Sequence, residues 1–169
     1  MRISLIACAA AGALVLTACG SETSGEFTTE EGETGEYIID QDSGSSTMTV
    51  ETPDGTVSMR SGADVTEELP AGFTMVSGAN VLSNTIVDQG ESKGSLTTFQ
   101  SDKSPDEIVA HFRAEAENAG ISIQIETLIN GGKMIGGENE DNGTTFSVSA
   151  FPGDDGVVTG QLTISEQPG

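Results

Sequence analysis

Positive charge is scarce in this chain. Six Lys and Arg residues stand against 27 Asp and Glu in 169 residues, for a net charge of -21 at neutral pH. After Arg2 the basic residues are Arg60, Lys93, Lys103, Arg113 and Lys133, scattered rather than clustered. Nucleic-acid binding needs a basic patch, so no nucleic-acid partner is expected. A surface of this sign stays soluble and repels phosphate, and it disfavours lying flat on an anionic membrane. Cysteine is nearly absent too: Cys8 and Cys19 both fall in the first twenty residues. Nothing after Cys19 can therefore form a disulfide, a thiolate metal site or a cysteine nucleophile. His111 is the single histidine, so side-chain acid/base chemistry centred on an imidazole would have to pass through it. No Gly-x-Ser-x-Gly nucleophile motif accompanies it, and it reads as a boundary or surface residue. No catalytic residue, cofactor site or metal site is expected, and the chain does not read as an enzyme.

A long apolar run is also missing. The apolar stretch over residues 3–16 follows Arg2 and ends in small residues before Cys19, the layout of an export signal. Spanning a bilayer takes about 20 apolar residues, more than this stretch offers. Leu16, Thr17, Ala18 and Cys19 resemble the lipobox of bacterial lipoprotein precursors. The resemblance implies removal of residues 1–18 as a signal peptide, lipid on Cys19, and attachment to a membrane of the cell envelope through that lipid. An ordinary secretory signal cut after Ala18 and a retained anchor helix are the alternatives. Gly20 and Ser21, with no aspartate beside the cysteine, resemble Gram-negative lipoproteins passed to the outer membrane, facing the periplasm.

Residues 20–35 are Gly, Ser, Thr and Glu with Phe27 the one large apolar side chain, a composition that predicts a lipidated, disordered tether over 19–35. Its typical span would be on the order of 20 Å. Residues 36–68 read as an acidic β-hairpin region, with strands over 37–40, 47–52 and 56–60 and a turn at Pro53, Asp54 and Gly55.

The main domain is expected over residues 69–166. Strands over 80–88 and 94–101, joined near Gly90, precede the clearest local signal in the chain. Ser104 can cap a helix, Pro105 suits its first position, and Glu107 completes a capping box. Ile108, Val109, Phe112, Ala116 and Ala119 then recur on one helical face before Gly120, which predicts a helix over 105–119. Ile121, Ile123 and Ile125 alternate with polar residues as in a strand with one buried face, and strands follow over 133–138, 144–151 and 157–165. The fold class is α+β: an antiparallel β-sheet with one amphipathic α-helix packed on a face, in a ββαββββ-like order.

Leu69, Pro70, Gly72 and Phe73, then Gly78, Ala79 and Val81, then Ser104, Pro105, Glu107, Val109, Phe112 and Arg113 resemble a module of uncharacterised bacterial envelope lipoproteins. The resemblance covers roughly residues 69–130. It departs from that pattern at Val76 and Ser77, where Tyr-Pro would stand, and at His111 and Phe112, where Phe-Tyr would stand. An aromatic ligand platform is correspondingly thinned.

The carboxylate pairs Glu115/Glu117 and Asp154/Asp155 read as solvated charge in an acidic chain. Glu138, Glu140, Asn142 and Gly143 mimic half of a calcium loop, but Ser149 occupies the twelfth position, so a polar hairpin turn is the better reading. Asp40, Asp42, Ser43 and Gly44 are read the same way. Gly131, Gly132, Gly136 and Gly137 precede no helix and form no phosphate cradle. The function expected is a non-enzymatic binding or interaction module of the envelope with a protein or cell-wall partner. A small-molecule or cation-binding lipoprotein is the alternative.

Overall fold

The computed structural model describes residues 22–30, 32–62, 69–89, 92–153 and 156–166. The signal, the lipobox with Cys19, Gly90 and the pair Asp154/Asp155 lie outside the described residues.

Ten strands form one antiparallel sheet. They are β1 (Glu22–Thr28), β2 (Thr34–Asp40), β3 (Ser45–Thr52), β4 (Gly55–Ser61), β5 (Asn80–Gln89), β6 (Ser92–Ser101), β7 (Ser122–Ile129), β8 (Gly132–Asn139), β9 (Thr144–Pro152) and β10 (Val158–Glu166). The helix α1 (Pro105–Asn118) lies between β6 and β7 in sequence. Spatially the order is β1-β2-β3-β4-β5-β6-β10-β9-β8-β7. The first six strands meander outward from β6, and α1 then carries the chain to the far edge at β7. Three hairpins return it, so that β10 pairs with β6. Residues 69–166 thus have the ββαββββ order, and the class is α+β.

The helix begins and ends where its sequence signals lie. Ser104 Oγ accepts from the Glu107 amide at 3.3 Å, and Glu107 Oε2 accepts from the Ser104 amide at 3.0 Å and its hydroxyl at 2.8 Å. At the other end Gly120 sits at φ 73°, with Ile121 N donating to Ala116 O at 2.8 Å and Gly120 N to Glu117 O at 3.1 Å. This is the paired Schellman arrangement, and its accompanying apolar contact comes from buried Ile121. Ile108, Val109, Phe112 and Ala116 face the sheet, all buried.

The core follows from which rows of the sheet α1 can reach. Cross-strand partners share a face, so one helix-side row reads Ile135, Val148, Leu162, Thr97 and Asn84, every member buried. The same row continues through Arg60, Thr47 and Ile38, where Ile38 is 47% exposed. Burial stops at β5. Among the described residues no helix or second sheet packs on β1–β4, which extend from the covered half as a single layer.

Two expectations are corrected. The tether expected over 19–35 is sheet from Glu22 onward, apart from the β1–β2 turn. Phe27 and Tyr37 lie over the cross-strand glycines Gly35 and Gly25, where an added Cβ would collide with the rings. Such aromatic-on-glycine cover supplies packing that a count of apolar residues does not register. The alternation of Ile121, Ile123 and Ile125 does not hold to one face. A bulge shifts the register between Ile123 and Ile125, leaving Ile125 54% exposed on the other side. Glu126 is thereby turned toward the helix, where Arg113 meets it at 2.9 Å.

The Glu107 carboxyl is held below its ordinary 4.5, first by the Ser104 hydroxyl and then by the Ser104 amide. An unfolded chain would take up that proton before the folded one as pH falls. The cap therefore contributes fully above the ordinary value and is lost as pH drops through the lowered one. Urea midpoints followed downward from pH 6 to about pH 3 should fall less steeply for Glu107→Gln than for the unsubstituted chain; identical slopes would remove the cap from the acid response.

Candidate functional site

The segment over residues 69–79 crosses the helix-side face of the sheet before β5. Pro70–Gly72 form one helical turn, with Ala71 at φ 56° and Gly72 at φ 74°. Polar bonds tie the segment down from two directions. Ala71 N donates to Glu166 Oε1 at 3.1 Å, at the end of β10. From α1, Glu115 accepts from the Thr74 amide at 3.2 Å and from its hydroxyl at 3.1 Å. His111 Nε2 lies 2.9 Å from Thr74 O, so that nitrogen carries the proton it donates. Phe73 stacks on Phe146 with ring centroids 5.4 Å apart, and Val76 is buried.

The space between α1 and the sheet is full. Phe99, Phe112, Ile108, Ile135, Leu162 and Ile164 are completely buried there. The opening lies instead beside the 69–73 turn, where covered and uncovered halves of the sheet meet. It is a groove of about 520 Å³ with apolar walls from Leu69, Pro70, Phe73 and Ile86. The Gly94 backbone borders it, and Asp88 and Lys93 stand at it as an ion pair at 3.5 Å. Asp88 and Lys93 are register partners, as are Ile86 and Ser95 on the same face. Ser95 is 4% exposed and its hydroxyl has no hydrogen-bond partner among the described residues. The combination offers an apolar surface with opposite charges at its edge, and a buried hydroxyl on the same face.

The residues singled out from sequence fall elsewhere. His111 packs edge-on against Phe112 and is occupied with Thr74 O. Glu115, read as solvated charge, is a clamp on Thr74. Glu140, Asn142 and Gly143 belong to the β8–β9 turn, where Asn142 Oδ1 accepts from Thr144 N at 3.0 Å and Asn139 Nδ2 caps Ala119 O at 3.0 Å. Asp40 accepts from the Ser43 hydroxyl at 2.8 Å and the Asp42 amide at 2.9 Å, and these two bonds lower its pKa in that order. Gly131 follows Asn130 in the β7–β8 turn, both at positive φ, while Gly132 lies under Phe151. Glu26, Glu36 and Glu51 border a shallow dent of about 170 Å³, but among the described residues no three His, Cys, Asp or Glu side chains gather as a metal set. The groove residues carry no motif. Their one sequence signal is the Leu-Pro-x-Gly-Phe stretch over 69–73.

Residues 75–161 match the family model described as START domain-like, just over half of the chain. The chain belongs to the START domain-like family. Comparison with curated proteins and with solved structures finds no significant match. The START domain-like match runs from the 69–79 segment through β5, β6, α1 and β7–β9 into β10, and leaves β1–β4 outside. Membership supports a ligand-binding role for this half of the molecule. The groove sits at its margin, with Ile86, Asp88, Lys93 and Gly94 inside the matched residues and Leu69, Pro70 and Phe73 just before them.

The clamp separates two kinds of damage. Phe112→Ala should lower stability by about 3 to 5 kcal/mol, because a fully buried ring leaves a cavity. Glu115→Ala should shift the urea midpoint far less, yet speed hydrogen exchange at the Thr74 amide. An unchanged Thr74 exchange rate in Glu115→Ala would show that the carboxylate does not hold the segment.

Proposed function

We propose that the chain is a lipid-anchored, non-enzymatic binding module of the bacterial cell envelope whose ligand is an apolar or amphipathic small molecule held beside the 69–73 turn. The groove carries this reading. Its volume of about 520 Å³ falls in the range of small-molecule sites, and its walls combine the apolar Leu69, Pro70, Phe73 and Ile86 with the charged pair Asp88 and Lys93. Leu69, Pro70, Phe73 and Ile86 would take the apolar part of the ligand, and Asp88 and Lys93 a polar end. Membership of the START domain-like family supports a ligand-binding role.

Anchoring rests on the lipobox residues Leu16, Thr17, Ala18 and Cys19. Lipid on Cys19 would attach the chain to an envelope membrane, the outer membrane facing the periplasm in a Gram-negative cell. Since β1 begins at Glu22, three residues later, the folded part would stand close to that lipid. Each buried methylene contributes about 0.8 kcal/mol, so two or three acyl chains hold a protein that one would hold marginally.

Two measurements test the reading. A neutral apolar dye such as N-phenyl-1-naphthylamine should bind saturably, and Ile86→Asp should weaken it about tenfold or more by placing a charge in the apolar wall. Ile125→Asp, on the exposed outer face, should leave binding unchanged. Equal affinity in both variants would take the ligand out of the groove. Separately, Cys19→Ser should abolish palmitate labelling and processing, and label retained on that variant would end the anchoring proposal.

A further inference from the structure

The face of the sheet turned away from α1 is nearly free of charge. One row of cross-strand partners traverses it as Gly25, Tyr37, Met48, Met59, Thr85, Leu96, Thr163, Ser147, Gly136 and Ile125. The flanking rows add Phe27, Val50, Val57 and Val87 on one side and Ile39 with Ser and Thr on the other. Following this face through all ten strands, Glu138 at the β8 end is the single charged side chain among its paired residues. The other charged side chains among the described residues lie on the helix side, on α1 or in turns. On this face the apolar side chains are open to solvent: Met48 and Met59 are each 41% exposed, Leu96 40% and Ile39 43%.

A hydrophobic sheet face is stable when a second layer covers it, and β1–β4 have none among the described residues. We propose that a second copy of the chain supplies that layer, the two uncharged faces packing against each other about a twofold axis through β1–β6. Three observations select this occupant. Pairing two chains at -21 through the helix-side face would bring the carboxylates of Glu26, Glu36, Glu51 and Asp88 together, whereas this face brings none on β1–β6. Six strands spaced about 4.8 Å apart, each about seven residues long, present roughly 650 Å², so two copies would bury roughly 1,300 Å². That reaches the range of about 1,200 to 2,000 Å² found for specific interfaces. Flat sheet faces pack on one another about 10 Å apart, and the central Met48 and Met59 adapt readily to a facing side chain. A bilayer is the weaker occupant. The face has no Lys or Arg to meet lipid headgroups, and its rims are acidic.

Single cysteines placed in the full chain test the pairing in intact cells with a short bismaleimide, the unsubstituted chain giving the background from Cys8 and Cys19. At least one of Tyr37→Cys, Met48→Cys, Met59→Cys and Leu96→Cys should yield a band of twice the mass, because residues near a twofold axis meet their own copies. Thr47→Cys and Thr49→Cys, on the helix side of β3, should not. Adding Met59→Glu to the crosslinking variant should lower the crosslinked fraction about tenfold while leaving the far-ultraviolet circular dichroism unchanged, since like charges would then face each other. No band from the row, or equal bands from both faces, would overturn the proposal. So would flotation of the uncrosslinked chain with phosphatidylcholine vesicles that Met48→Glu abolishes, which would assign the face to lipid.

Discussion

The contact between Phe112 on α1 and Phe99 on β6, with ring centroids 5.9 Å apart, fixes the rest of the structure. The helix is the one connection that does not join sheet neighbours. It leaves the middle of the sheet after β6 and must deliver the chain to the far edge, so that three hairpins can bring β10 back beside β6. Its apolar stripe can lie flat only if the strand opposite Phe99 gives way. Gly160 does this: a Cβ there would overlap the Phe99 ring. A small residue on β10 thus sets the depth of an aromatic on β6, which sets the seat of α1 over β8 and β9.

How legible this was differs with the range of the interaction. The helix was readable almost to the residue, because the Ser104–Glu107 box and the Gly120 stop act within a few positions of one another and need no tertiary partner. Strands of the 69–166 region were readable from alternation and turn residues for the same reason. Strand order was not, since nothing local says that β10 returns to β6. The bulge at Ile123 and Ile125 was hidden because an unbroken Ile-x-Ile-x-Ile pattern looks identical whether or not one residue is skipped. Asn130 and Gly131, both at positive φ between the paired ends Ile129 and Gly132, form the tight hairpin turn that an Asn-Gly pair favours. Their signal was available, although the glycines drew notice only as a candidate phosphate loop.

The groove was the least legible feature. Leu69 and Phe73 come from one segment, Ile86 and Asp88 from β5, and Lys93 and Gly94 from β6. No spacing rule links them, and only the folded register puts Asp88 beside Lys93. Glu115 shows the converse: an acidic residue among many in sequence, it becomes specific once Thr74 lies across α1. The START domain-like match ends at β5 on the side of the meander, so the groove lies where the matched unit gives way to strands outside the match.

Those outer strands have an electrical consequence. Glu26, Glu36 and Glu51 project from the helix side, whereas the opposite side of β1–β3 carries Thr23, Met48 and Val50 and no compensating charge. A thin layer with anions on one side alone has a dipole along its normal, and too little thickness for interior packing to screen it. Two copies paired through their uncharged sides would cancel that dipole, but in a single copy beside a negatively charged surface it feels a torque, turning the carboxylates outward to water and the uncharged side inward. Orientation would then be set by a field reaching about 10 Å at ordinary ionic strength, without a single specific contact, and would fade as salt shortens that reach.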